Sequence, residues 1–464
     1  MTNRRDFLFR HAHGFGAMAL AALRAEAAGR ATNPLEVRAP HHAPRAKSVI
    51  FLFMDGGVSH IDSFDPKPRV TAESGQKIPL PRPKLVRAES PVLWASPFEF
   101  RKYGQVGADV STMFPHVAQH VDDLTIIRSM AADHSEHTAA NYFMHSGSGL
   151  QGRPSMGAWL TYGLGNESRN LPGYIVLDTG MIPPGGTDIF ASGFLPASYQ
   201  GSLFRRGAQP VAEIAPREAN PARQRAKLDL MADLDAMARE RYGAVSEMEA
   251  SIANYELAFR MQSAVPELAD ISGETEATRK LYGLDQADTE EYGRACLLAR
   301  RLVERGVRFI EVLSPKRDGA DRWDQHAALK HGHAMNAKAT DQPIAALLQD
   351  LKARGLLRDT LVIWGGEFGR SPTAQGSGDK MGRDHHPYAF TMWLAGGGVK
   401  AGMIHGATDE YGYYVAENRV HVHDLHATVL HLLGLEHTRL TFPFGGRQMR
   451  LMDVHGNVVR EILA

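Results

Sequence analysis

The sequence predicts an α/β fold built on a mostly parallel central sheet with helices on both faces. Three observations support this. Short apolar runs recur along the chain, and each ends in Gly, Asp, Glu or Ser. Segments with apolar residues at three- and four-residue spacing fall between those runs, as amphipathic helices do. Gly355 stands where a helical pattern gives way to a strand, a common place for a helix-stopping glycine. Strands that alternate with helices pair in parallel, because each crossover carries the chain back along one face of the sheet.

The first element is "SVIFLFM", Ser48 to Met54, a continuous apolar run with β-branched and aromatic members. Such a run suits a strand buried on both faces. "DDLTIIRSM" (122–130), "GYIVLDTG" (173–180), "VRFIEVL" (307–313), "DTLVIWGGEFGR" (359–370) and "FTMWLAGGGV" (390–399) repeat the form. Helices are expected over 224–262, 290–305 and 334–354. The region from about Arg205 to Ser272 shows no strand pattern and reads as a helical insertion within one domain spanning 47–464.

Composition narrows the function classes. The chain has 464 residues, 43% hydrophobic and 22% charged, as a globular protein does. Lys+Arg and Asp+Glu are both 52, so nothing favours a polyanion, and nucleic acid is not an expected partner. The single cysteine, Cys296, precludes an internal disulfide and reads as buried filler. Near the start, Arg4, Arg5, Asp6, Phe7 and Leu8 precede a short apolar stretch and a small-x-small site at Ala25-Glu26-Ala27. This is the pattern of a twin-arginine export signal over 1–27. It predicts engagement of the twin-arginine translocation machinery and a periplasmic or extracytoplasmic location. Residues 28–46, rich in Pro, Ala, Arg and His, read as a linker. No segment approaches the roughly 20 apolar residues of a membrane span, so no transmembrane anchor is expected.

Ligands of open α/β sheets lie at the carboxyl ends of the strands, so polar residues just past the apolar runs are the candidates. The first strand delivers Asp55. After Leu313 come Asp324, His326, His331 and His333, and after Trp364 come Glu367 and Arg370. "GRDHHPY" follows with Arg383, Asp384, His385 and His386. Carboxylates mixed with imidazoles are the donor set of hydrolytic metal sites. Each piece also has a plain reading. Asp55 before Gly56-Gly57 can initiate a turn, Asp324 and His326 can cap a helix, and Arg370 can neutralise Glu367. His134, His137, Asn141 and His145 are spaced to share one helix face.

"MDGGVSHIDSFDPKP", "DHSEHTAANYFMHSG", "WDQHAAL", "LVIWGGEFGRSP" and "GRDHHP" together resemble an exported sulfatase-like family catalogued as domain of unknown function 1501, within the alkaline phosphatase and sulfatase superfamily. The resemblance covers about Lys47 to Gly445. It implies an alkaline-phosphatase-like three-layer sandwich and a hydrolase of phosphate or sulfate esters, with a small-molecule or saccharide substrate. It also implies a divalent metal ion (zinc, manganese, iron or calcium). Asp55, Asp324, His326, Glu367 and one of His385 or His386 match metal-ligand positions. Phe368 stands where those enzymes carry a histidine ligand. The nucleophile position falls at or near His137, with Thr138 adjacent, and no C/S-x-P-x-R motif occurs. Arg370 or Arg383 is expected to neutralise the oxyanion. The alternative function is an exported binding protein that keeps the scaffold without turnover.

Overall fold

The computed structural model describes residues 34–464, apart from 83, 87–90, 208, 217, 219, 243–245 and 321. The expected export signal over 1–27 lies outside the described residues. The core is a nine-stranded sheet. Its strands are β1 (Ser48–Phe53), β2 (Leu124–Ala131), β3 (Tyr174–Leu177), β4 (Ser202–Phe204), β5 (Phe309–Leu313), β6 (Thr360–Gly365), β7 (Phe390–Ala395), β8 (Met403–His405) and β9 (Val420–His421). The order is β8-β2-β7-β6-β1-β5-β3-β4, with β9 also paired to β2. Only β7 runs antiparallel to its neighbours β2 and β6. All six residues of β1 are buried, as its central place between β5 and β6 requires.

Helices cover both faces. The main ones are α1 (His137–Ser146), α2 (Met156–Leu164), α3 (Pro221–Tyr242), α4 (Ser246–Ala269), α5 (Glu290–Glu304), α6 (Leu329–Ala353) and α7 (Val422–Leu432). On one face Phe51 and Phe53 meet His145 of α1, and Phe309 lies beneath Gly157 of α2. Ile310 and Val312 alternate with Phe309 and are equally buried, so they are covered from the other face, where α5 meets β5. Beneath α1 a buried polar trio fills the first face. Glu311 accepts hydrogen bonds from His145 Nε2 at 2.6 Å and from the Tyr174 hydroxyl at 2.8 Å.

Several expectations change. The described part of the expected 28–46 linker is packed against the domain. Leu35 is buried, Arg38 N–H donates to Leu164 O (2.9 Å), and Arg45 and Ala46 donate to Leu432 O (2.8 and 2.9 Å). Arginine and proline there hid the backbone pairing that ties the segment down. The helical region 224–262 is two helices, α3 and α4. Leu257, Met261, Val265 and Leu268 of α4 join the main core, so α4 is more than a surface cap. His134 lies before the start of α1, against Phe143, and does not share the helix face with His137, Asn141 and His145.

Candidate functional site

Five side chains meet at one edge of the sheet. Asp55 follows β1 and Glu367 follows β6, as strand-end residues. Because β7 runs the opposite way, it is the residues before it, including His385, that reach this edge. His137 opens α1, whose N-cap Glu136 accepts from Thr138 N (3.0 Å) and Ala139 N (3.1 Å). Asp324 comes from the loop after β5. That loop packs on the turn after β1, where Gly56 has φ +108°. A Cβ there would lie 2.6 Å from Trp323 N and 2.7 Å from Asp324 N, so only glycine lets the two segments meet.

Asp324 is the hub. Its Oδ1 lies 2.7 Å from Arg370 Nη2, 3.0 Å from His385 Nε2 and 3.1 Å from His326 Nε2. Its Oδ2 lies 3.0 Å from His137 Nε2. Burial opposes its charge, but the three histidines and Arg370 outweigh it and hold the carboxyl well below its ordinary range. His385 Nδ1–H donates to Ser135 O at 2.7 Å, and His326 Nδ1 faces the amide oxygen of Gln375 at 2.6 Å. Burial, then Arg370, lowers His385 to about 4, which keeps its ring neutral.

A second cluster lies behind His137. Glu367 accepts from His137 Nδ1 at 2.7 Å and from Gly56 N–H at 3.0 and 3.1 Å. Asp55 Oδ2 lies 2.7 Å from Arg322 Nη1, and Asn141 Nδ2 lies 3.5 Å from Asp55 Oδ1. Burial and the Glu367 charge raise Asp55 to about 7 despite Arg322. Burial works against a charged His137, but hydrogen bonds and charges of Asp324 and Glu367 win and raise it to about 10.

The remaining expected residues sit elsewhere or face elsewhere. Arg370 is fully buried and donates to Gly57 O (3.0 Å), Gly56 O, Trp323 O (3.1 Å), Arg383 O (3.1 Å) and Asp324. It binds Asp324 rather than Glu367, and it has no free face for an oxyanion. Arg383, likewise buried, is spent on Asp62 at 2.7 and 3.2 Å. His386 is in the two-residue ladder with Gly369–Arg370, and strand alternation turns it away from His385. It stacks on Tyr413 at 4.9 Å and donates to Tyr413 O at 2.6 Å, so it is not brought into the site. The Thr138 hydroxyl is engaged by Glu136. Phe368 packs its ring 5.1 Å from that of His137 and 4.5 Å from that of His385.

The donor chemistry suits a cation. With Nδ1–H committed to an oxygen on both rings, His326 Nε2 and His385 Nε2 carry lone pairs, and these face one another at 2.9 Å. Asp324 Oδ1, which also accepts from Arg370 on its far side, completes a triangle of acceptors with no proton between the two facing ring nitrogens, an arrangement that a cation at its centre would relieve. The second shell that fixes the tautomers is the one metal-binding histidines use. Asp384, whose Oδ2 is buried without a partner, groups with His326 and His385. Arg322 and Asn141 also belong to the site. Asn141 carried a signal in its helical spacing, whereas Arg322, a non-glycine residue at φ +50°, carried none.

A search of curated proteins finds no match. Among solved structures, the lipoteichoic acid synthase LtaP from Listeria monocytogenes is similar at 11% identity and TM-score 0.33, over 93% of this chain and 80% of that one. The PsFucS1 sulfatase from Pseudoalteromonas sp. is similar at 13% identity and TM-score 0.33, over 90% and 70%. The phosphonate monoester hydrolase SpPMH from Silicibacter pomeroyi is similar at 12% identity and TM-score 0.35, over 75% and 71%. A family model matches residues 46–463, nearly the whole length, and the chain therefore belongs to the family described as "Protein of unknown function (DUF1501)".

Proposed function

We propose that this protein is an exported, metal-dependent hydrolase of phosphate or sulfate esters, acting on a small molecule or saccharide. One observation carries the reading: the acceptor triangle of Asp324 Oδ1, His326 Nε2 and His385 Nε2, with sides of 2.9 to 3.1 Å. A divalent cation held there supplies Lewis-acid polarisation of an ester oxygen. Asp324, His326 and His385 would hold it, with Gln375 and Ser135 fixing the two rings. Arg322 is partly exposed, with Nη1 2.7 Å from Asp55, Nη2 donating to Ile182 O and Nε directed at Met181 Sδ, so its remaining Nη1 and Nη2 hydrogens are the ones placed to meet an anionic ester group. The sequence expectation gave that role to Arg370 or Arg383, whose donors are committed to the protein.

Metal analysis of purified protein, followed by an aryl phosphate and aryl sulfate panel, tests this. The expected result is a bound divalent ion, lost in Asp324→Ala, and turnover of one ester class. Failure to bind any divalent ion would refute the reading. A second reading, a binding protein without turnover, is favoured by Phe368 and by the engagement of the Thr138 hydroxyl with Glu136. A bound ion with every ester inert would support it. Export is tested by replacing Arg4 and Arg5 with lysine, which should leave the protein in the cytoplasm. Among the described residues no helix is long and apolar enough to cross a membrane.

A further inference from the structure

We propose that His137 is a metal ligand through Nε2, completing a single-ion centre with Asp324, His326 and His385, and that Glu367 is its positioning carboxylate. The proposal rests on the metal-dependent reading above and goes on to say how many ions are held, and by what. It departs from the sequence expectation, in which His137 stood at a nucleophile position and Asp55 and Glu367 were ligands.

Three observations carry it. First, His137 repeats the arrangement of the other two imidazoles. Its Nδ1 meets an oxygen of Glu367 at 2.7 Å, as that of His385 meets Ser135 O at 2.7 Å and that of His326 meets Gln375 at 2.6 Å. All three rings therefore turn Nε2 toward Asp324. Second, His137 Nε2 is buried and lies 3.0 Å from Asp324 Oδ2. A buried nitrogen that close to a carboxylate is placed to exchange the proton between them for a shared cation. When the cation enters, any proton on Nε2 leaves to solvent and Nδ1–H stays on Glu367.

Third, the group behind His137, although Asp55, His137 and Glu367 stand close enough to hold an ion of their own, is already engaged by the protein. Gly56 N–H and His137 occupy Glu367, and Arg322 occupies Asp55, so a second ion would have to displace a guanidinium and a backbone donor. Donor spacing also indicates the coordination. Donors about 2.1 Å from an ion lie roughly 3.0 Å apart when adjacent in a six-coordinate shell and roughly 3.4 Å apart in a tetrahedral one. The spacings among Asp324 Oδ1, His326 Nε2 and His385 Nε2, 2.9 to 3.1 Å, match the six-coordinate case, and His137 Nε2 stands 3.0 Å from the other carboxylate oxygen, Oδ2. Four protein ligands then leave two positions for solvent or an ester oxygen.

The test uses the full chain and Co²⁺ alone as probe. Expected are one Co²⁺ per chain, the weak visible bands of a six-coordinate ion, and X-ray absorption that counts three imidazoles. Glu367→Gln should weaken binding roughly 10- to 100-fold while keeping one ion per chain, and His137→Ala should weaken it more. Two ions per chain, with one lost in Glu367→Gln, would overturn the proposal, as would two imidazoles in the wild-type spectrum. The wild-type spectrum needs no variant, so misfolding of His137→Ala cannot obscure the answer. Absence of any Co²⁺ binding would instead overturn the metal-dependent reading itself.

Discussion

Arg383 and Arg322 are both cations near the same cluster, but burial gives them different work. Arg383 is fully buried on Asp62, which is itself fully buried, and also donates to Trp94 O at 3.0 Å. Removing one partner of such a pair leaves an uncompensated charge in a dry site. Arg383→Met should therefore lower unfolding stability by about 3–5 kcal/mol in urea titration, whereas the double change Arg383→Met with Asp62→Leu should recover much of it. The distinction between these arginines was not legible in the sequence, because their partners lie hundreds of residues away. The strand-end acids were legible: a carboxylate directly after a buried strand needs a partner, and both Asp55 and Glu367 have one. The choice between His385 and His386 was not, since it depends on a two-residue ladder with Gly369–Arg370 that has no local signature.

At the level of elements, the turn after β1 and the helix α1 align the site. Gly56→Ala would place a Cβ against the backbone of Trp323 and Asp324 at a φ that side chains rarely adopt. It should cost about 1–3 kcal/mol of stability from the strained conformation alone, read by thermal unfolding, and should weaken Co²⁺ binding in proportion. α1 is anchored lower down by the His145–Glu311 pair. His145→Ala leaves the buried Glu311 charge with only the Tyr174 hydroxyl as partner, and a loss of about 3–5 kcal/mol is expected in the same measurement. Burial works against a charged His145, but Glu311 raises its folded pKa above the unfolded value. That stabilisation is full below the unfolded value and is lost as pH rises through the folded one. Runs such as Val49–Phe53 announced the buried strands because no polar alternation breaks them. Ser202–Phe204 and Val420–His421 were too short to carry any period, and the reversed direction of β7 cannot be read from its own residues.

Across the whole molecule, buried neutral histidines set an acid limit. Burial lowers His333 and His426 to about 3, and lowers His60 as well. His333 accepts from Ser59 N–H at 3.1 Å and meets Gln325 Oε1 at 2.6 Å, so a second proton has no acceptor. In the unfolded chain these rings take protons near pH 6.5, while His333 and His426 in the folded protein resist until near pH 3. Stability should then fall as pH drops from about 6.5 toward 3, by up to about 1.4 kcal/mol per pH unit for each histidine, as urea midpoints across that range would show. The α/β class and mostly parallel sheet were legible from the alternation of runs and helical patterns, whereas the sheet order was not. That order has a consequence for biosynthesis. Residues 55, 137, 324, 367 and 385 come together only after β6 and β7 have taken their places beside β1 and β2. An emerging chain therefore makes its core strand early and waits for more than three hundred further residues before the last imidazole arrives. On the proposed reading the cluster would be a late checkpoint, because a chain that held an ion there would be one in which β1, β5, β6 and β7 had already taken their places.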